Sequence, residues 1–126
     1  MKTSDLSRAC LRAYVDKDRS AAEALIATDF HFTSPIDNVL DRATYFARCW
    51  PNSQSMRAAT VVAAADDGSR AFVVYETETG SKRFRNCEMH TSRDGKLVSV
   101  EVYFGWNLPH PAPQGNFIEY CGEAQA

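Results

Sequence analysis

The sequence predicts an α+β domain, three helices in the first half packed on an antiparallel sheet drawn mainly from the second. Three observations carry this. Apolar residues recur at helical spacing as far as Trp50, and from Met56 the period changes to alternation. Asp66-Asp67-Gly68, Gly80-Ser81 and Asp94-Gly95 then cut the second half into segments of hairpin length. The order α-α-β-α-β-β-β-β segregates helices against one sheet. With 126 residues and no internal repeat, linker or low-complexity run, the chain reads as a single domain over 1–126.

Leu6, Cys10, Ala13 and Tyr14 mark one face of a first helix over 4–17, with Ser4 as its cap. Asp18 to Ser20 interrupts it. Ser20-x-x-Glu23 has the capping-box pattern and opens a second helix over 18–28, whose stripe is Ala22, Leu25 and Ile26. Phe30-His31-Phe32-Thr33-Ser34 alternates as a strand that Pro35 stops, and Ile36 to Leu40 reads as a loop. Asp41 caps a third helix over 41–50, closed by Pro51-Asn52-Ser53. Strands follow over 56–65, 71–79, 82–92 and 96–104. From Gly105 to the end, with Pro109, Pro111 and Pro113, the chain reads as an irregular tail.

Composition excludes several function classes. Fourteen Lys+Arg against 16 Asp+Glu leave a net charge of -2, with no basic cluster, so a nucleic-acid partner is not expected. No apolar stretch is long enough to span a bilayer, and the polar start, Met1 to Asp5, lacks an apolar signal region. The expectation is a cytoplasmic protein without membrane contact. Cys10, Cys49, Cys87 and Cys121 are too far apart in sequence for a C-x-x-C or Cys/His cluster. They read as small buried hydrophobes rather than metal ligands or disulfides, and no cofactor is expected.

Two-residue turns fix registers, and registers fix faces. With Gly80-Ser81 as the turn, Glu76 faces Arg85, Val74 faces Cys87 and Phe72 faces Met89. With Asp94-Gly95 as the turn, Met89 faces Val100, Cys87 faces Val102 and Arg85 faces Phe104. One face then carries Phe72, Val74, Glu76, Arg85, Cys87, Met89, Thr91, Val98, Val100, Val102 and Phe104. Its apolar character marks it as the core side. The opposite face carries Val73, Tyr75, Thr77, Asn86, Glu88, His90, Ser99, Glu101 and Tyr103.

Glu76 and Arg85 stand out in the first list. They read either as a structural ion pair or as a polar anchor on the wall of an apolar pocket, able to orient a carboxylate, carbonyl or enolate. On the other face, Glu88 opposite Glu101 with His90 opposite Ser99 and Asn86 opposite Tyr103 reads either as a dimer interface or as an acid/base site.

Phe32-Thr33-Ser34-Pro35 after the second helix and Asp94-Gly95-Lys96-Leu97-Val98 before Tyr103-Phe104 carry a resemblance. In this element order, over about residues 4–108, the chain resembles the nuclear-transport-factor-2-like superfamily, and within it the SnoaL-like group of small bacterial proteins. The resemblance implies a strongly curved sheet wrapped as a cone around its helices, with a pocket at the wide end. It implies homodimers formed through the outer sheet face. The scaffold hosts ketosteroid isomerases, polyketide cyclases, dehydratases and epoxide hydrolases, as well as proteins that only bind, so fold does not select among them.

Three departures weigh against the steroid-isomerase mechanism. The residue before Pro35, where those enzymes have an acidic base, is Ser34. The position of their oxyanion-donating carboxylic acid corresponds to Cys87. Their helix-1 tyrosine falls near Cys10, with Tyr14 one turn later. Asp37 is close enough to Ser34 to serve as a base, or it shapes the turn Pro35-Ile36-Asp37-Asn38.

The function expected from these readings is a dimeric small-molecule-binding protein acting on a carbonyl-bearing ring compound as a cofactor-free isomerase, cyclase or dehydratase. Glu76 would be the base, Arg85 would stabilise the oxyanion, and Tyr14 or Tyr45 would donate a hydrogen bond. An apolar or aromatic ligand would be lined by Phe32, Ser34, Tyr45, Trp50, Phe72, Val74, Cys87, Met89, Val102 and Phe104. His31 is expected to face away from Phe30 and Phe32, and His110 to belong to the tail. The alternative is a non-catalytic binding or interaction module.

Overall fold

A computed structural model describes residues 1–119. The elements are α1 (Thr3–Asp16), α2 (Arg19–Leu25), β1 (Ile26–Ser34), β2 (Asp37–Asp41), α3 (Arg42–Cys49), a 3₁₀ turn (Trp50–Ser55), β3 (Met56–Asp67), β4 (Arg70–Thr79), β5 (Lys82–Arg93) and β6 (Lys96–Asn107). The six strands form one open, curved sheet in the order β2-β1-β6-β5-β4-β3, and the three helices pack on it. The β1–β6 pair is parallel, so the sheet is mixed rather than wholly antiparallel. Cys121 lies outside the described residues.

Helix α1 buries Leu6, Ala13 and Tyr14 as its spacing predicts, and also Thr3, Ser4 and Ser7. Ser4 does not cap it. Ser4 lies inside the first turn, where its backbone N–H (2.9 Å) and hydroxyl (2.5 Å) both donate to the Asp66 carboxylate on β3. An acid from the sheet thus satisfies a donor at the positive end of the helix. Helix α2 is capped by Asp18, which accepts from the Ala21 N–H at 3.1 Å, rather than by Ser20. It ends at Leu25 instead of Thr28 because Ile26 pairs with Leu97 and starts β1. Asp41 caps α3 as expected, accepting from Thr44 N–H at 2.9 Å.

The segment read as a loop, Ile36 to Leu40, contains most of β2, which pairs with β1 at His31↔Asp41 and Phe32↔Leu40. Ile36 is exposed in the turn before this edge strand and Val39 is exposed on it, so no alternation of apolar and polar residues announces it.

The β4–β5 hairpin has the register expected from Gly80-Ser81, with Glu76↔Arg85, Val74↔Cys87 and Phe72↔Met89. The β5–β6 hairpin begins as expected, Arg93↔Lys96 and Ser92↔Leu97, but Thr91 then pairs with Ser99. Val98 is an extra residue. From there the partners are His90↔Val100, Met89↔Glu101, Glu88↔Val102, Cys87↔Tyr103 and Asn86↔Phe104, which replaces the expected pairing by one step. A slip of one residue exchanges the two faces of a strand. Val100 and Val102 do point to the core side, but they bring Glu88 and His90 with them, not Cys87 and Met89. Ala71, Val73, Tyr75, Thr77, Asn86 and His90 are buried, whereas Phe72 is 39% exposed. The faces expected for β4 and β5 are therefore interchanged.

A second extra residue, Gly105, separates Asn86↔Phe104 from Arg85↔Trp106. A Cβ there would lie 2.1 Å from the Arg85 carbonyl oxygen, so only glycine fits the crossing. Strand β3 carries two further shifts, at Arg57 and Val62. These bulges bend the strands and give the sheet a concave side. The largest apolar cluster on that side packs Phe30, Leu97 and Val100 against Leu6, Tyr45 and Trp50 of the helical layer.

Candidate functional site

A cavity of about 380 Å³ lies between α1, α3 and the concave face of the sheet. Its inner end is made by the buried residues Ser7, Tyr45, Tyr75, Thr77 and His90, and exposed Asn52, Ser55 and Phe104 stand at its mouth. Leu11, Phe32, Phe84 and Val102 supply much of the apolar wall. Among the described residues lining it, Glu88 is the one carboxylate, and none is Lys or Arg. This is the composition of a small-molecule site, apolar surface with a few converging polar groups.

The polar groups form two clusters. In the first, Tyr75 on β4 donates its hydroxyl to Glu88 Oε2, and Glu88 Oε1 lies 2.7 Å from His90 Nε2. Ser7 Oγ lies 2.5 Å from His90 Nδ1. Glu88 and His90 are two apart on β5, so both side chains stand on the same face, and the Val98 bulge makes that face the inner one. In the second cluster the Tyr14 and Tyr45 hydroxyls are 2.6 Å apart. Each hydroxyl has one hydrogen, so one donates to the other and the second hydrogen is left for a ligand. Thr77 Oγ1 is buried with no hydrogen-bond partner among the described residues.

Burial raises the pKa of the Tyr14, Tyr45 and Tyr75 hydroxyls above the ordinary phenol value, and the charge of Glu88 adds to the effect at each. The Cys10 thiol is pushed up to about 12, first by burial and then by Glu88. The Cys49 thiol is pushed up to about 11, first by burial and then by Asp37. These groups are protonated at neutral pH and serve as hydrogen-bond donors or apolar wall, not as nucleophiles. Among the described residues no group of three or more His, Cys, Asp or Glu is placed to hold a metal ion.

Of the residues expected at the site, Tyr14, Phe32, Tyr45, Val102 and Phe104 do line the cavity. Trp50 is buried beneath it, edge-on to Tyr14 at 4.9 Å between ring centroids. Ser34 is in the β1–β2 turn, where its hydroxyl donates to Asp37 Oδ2 at 2.7 Å. Arg48 also bonds Asp37, which fixes that carboxylate in the turn role. Phe72, Val74, Cys87 and Met89 lie on the convex side of β4 and β5 and away from the cavity.

Glu76 and Arg85 are on that convex side too. Arg85 donates from both Nε (3.0 Å) and an Nη (2.7 Å) to Glu76 Oε2 and lies over the Trp106 ring at 5.9 Å. The pairing is as expected and the location is not, so these two residues form a surface ion pair and are removed from the site. Glu101, expected opposite Glu88, accepts from the Tyr103 hydroxyl at 3.0 Å on the convex side.

One signal in the sequence distinguishes the faces. Glu76, Glu78, Arg83 and Arg85 all fall on one side of the β4–β5 hairpin, whereas the other side holds Tyr75, Thr77, Phe84 and Asn86 with two formal charges, Glu88 and, beside the turn, Lys82. Counting charges per face favours the arrangement observed.

No protein-family profile matches the chain, and no curated protein matches it in sequence. Solved structures do match in fold. A Kribbella flavida protein is 24% identical, with a TM-score of 0.73 over 80% of this chain and 84% of its own. A second protein from that organism, ketosteroid isomerase-like by name, is 20% identical with a TM-score of 0.70, over 94% and 89%. An NTF2-like protein of unknown function from Cytophaga hutchinsonii is 19% identical with a TM-score of 0.69, over 83% and 91%. The chain has the nuclear-transport-factor-2-like fold. No helix among the described residues is long and apolar enough to cross a membrane.

Proposed function

We propose that the protein binds an uncharged, carbonyl-bearing ring compound in the cavity and moves a proton on it without a cofactor. This is chemistry of the isomerase, cyclase or dehydratase type and fits a SnoaL-like role. The observation that carries the reading is Glu88, a carboxylate aimed into an aromatic cavity and held by Tyr75 and His90. In this reading Glu88 takes a proton from the carbon next to the carbonyl. The C–H bond breaks, an O–H bond forms on Glu88, and the electron pair moves to the carbonyl oxygen as an enolate. The free hydrogen of the Tyr14–Tyr45 pair stabilises that oxygen. Return of the proton to another carbon isomerises the compound, and loss of a β-hydroxyl with the same proton dehydrates it.

Among the described residues no Lys or Arg lines the wall, which supports an uncharged ligand. One observation favours binding alone: both oxygens of Glu88 already have protein partners. A screen of cyclic and steroid-like ketones by thermal shift tests the first step, because a ligand of the native state raises Tm. Solvent-deuterium incorporation into each hit tests the second. Glu88→Gln is expected to slow incorporation by about 10²–10⁴-fold, the usual worth of a positioned acid/base group. Absence of any hit overturns the reading, and hits that never take up deuterium leave the binding role in its place.

The convex side carries exposed Phe72, Tyr103 and Trp106, which supports pairing with a second copy through that surface.

A further inference from the structure

Ser7 has no part in the chemistry proposed above and His90 enters it only as a partner of Glu88, yet both are buried and bonded to one another. The positions of hydrogens in this cluster follow from counting donors. A serine hydroxyl has one hydrogen and His90 has two ring nitrogens. Ser7 Oγ donates to the Thr3 carbonyl oxygen, one helical turn back, at 3.1 Å. With its hydrogen committed there, Ser7 can only accept from His90, so His90 Nδ1 is the donor across the 2.5 Å contact. At the other end, Glu88 Oε2 accepts from Tyr75. The remaining contact, Nε2 to Oε1 at 2.7 Å, then contains one proton. Without it two lone pairs would face each other in a buried site.

We infer that Ser7 and His90 are positioning residues that hold Glu88 in a net-neutral, single-proton pair, with His90 locked in the Nδ1–H form by Ser7. The consequence for chemistry rests on the proposed function; the protonation pattern does not. An isolated carboxylate in the aromatic cavity would be costly, and sharing one proton with His90 removes that cost. When Glu88 accepts a proton from a ligand, the pair becomes singly positive, with the charge on the imidazolium, and the enolate formed beside it is singly negative. The cavity therefore stays neutral before and after the transfer.

Other titratable groups face the pair from each packed element: Tyr75 from β4, Cys10 and Tyr14 from α1, and Tyr45 and Cys49 from α3. Val100 and Val102 face it from β6. The tyrosine and cysteine hydrogens are retained at neutral pH because burial disfavours their ionised forms.

Nitrogen NMR of the full chain tests this without any ligand. His31→Gln and His110→Gln, both at exposed positions, leave His90 as the single 15N-labelled ring. The expected spectrum at neutral pH has Nδ1 in the protonated, pyrrole-type range with a directly bonded hydrogen. Ser7→Ala removes the acceptor and is expected to shift Nδ1 to the bare, pyridine-type range, and Ser7→Thr to restore it. A bare Nδ1 in the parent, or an Nδ1 hydrogen that persists unchanged in Ser7→Ala, overturns the inference. Because the readout involves no ligand, a failed ketone screen and a failed tautomer test strike separate claims.

Discussion

The β4–β5 hairpin carries one acid–base pair on each side, and the two are built differently. On the convex side Glu76 and Arg85 sit directly across from each other, with side chains 30% and 36% exposed. Water screens them, and their attraction is worth little beyond holding the side chains in register. On the concave side Glu88 and His90 belong to one strand, with side chains 16% and 4% exposed. There each hydrogen must be assigned, because an unmatched lone pair or charge has no solvent to meet it. The contrast teaches that pairing geometry alone does not mark a chemical site; the side of the sheet does. A single inserted residue, Val98, decides which pair is inside.

The largest effect is therefore expected from deleting Val98. Without the bulge, β6 continues the two-residue-turn register and must either turn Val100 and Val102 outward or drag Met89 and Cys87 inward with Arg85. Either outcome takes apolar area off the core and presents charge to it, a large cost against the roughly 5–15 kcal/mol that holds such a domain together. The variant is expected to lose cooperative urea unfolding and amide chemical-shift dispersion. If it unfolds cooperatively within about 1 kcal/mol of the parent, the bulge does not set the faces.

How much could be read without the structure follows from this. The order of the three helices and of every strand but β2, the Asp41 cap and the Glu76–Arg85 register were legible because turn chemistry and capping are local. The aromatic residues Tyr14, Phe32 and Tyr45 were legible as cavity wall from helix and strand periodicity. The face of β4 and β5 was not, because it was inferred through β6, and a bulge cancels such an inference at one stroke. The cue was present: Leu97 and Val98 are consecutive apolar residues ahead of a strict alternation, the trace of a phase shift. Strand β2 left no such trace, since none of its residues is buried and its Val39 is exposed.

A smaller effect is expected at the second bulge. Gly105→Ala places a methyl group against the Arg85 carbonyl oxygen, a backbone atom that cannot rotate away. The two strands must separate, and Gly105 N–H would lose Asn86 Oδ1, which now accepts it at 3.1 Å. A loss of about 1–3 kcal/mol in urea titrations is expected. Because Phe104 lines the cavity and Trp106 lies by Arg85 on the convex side, the substitution also tests whether this bulge separates the two surfaces. A neutral result would show that the strand relaxes without it.

The thiols offer a milder comparison of the same two sides. Burial raises Cys10 to about 12 and Cys49 to about 11, so both favour the protonated form in the folded protein. Their contribution to stability is fully present below the ordinary thiol value of 9.0 and fades as pH rises from there toward 11 and 12, because unfolded thiols ionise first. Unfolding midpoints are expected to fall across that alkaline window, less so in Cys10→Ser and Cys49→Ser backgrounds. Cys87, on the convex side, is also raised by burial, yet it is less enclosed. Iodoacetamide at pH 8 is expected to label Cys87 ahead of Cys49 and Cys10, read by peptide mass mapping. Equal labelling of all three would contradict an enclosed cavity.

The smallest effect belongs to the outer pair itself. Glu76→Gln keeps the shape of the side chain and one acceptor oxygen for Arg85, and it removes a charge that water already screens. The expected change in unfolding free energy is about 0–1 kcal/mol, shrinking further in added salt. Arg85 retains the Trp106 ring beneath it, which limits the loss. Deuterium exchange on any ketone that binds should not change, since Glu76 does not reach the cavity. A large loss of exchange in Glu76→Gln with stability intact would return this pair to the chemistry and remove Glu88 from it. That single substitution, compared with Glu88→Gln in the same assay, decides which side of the sheet the protein uses to move protons.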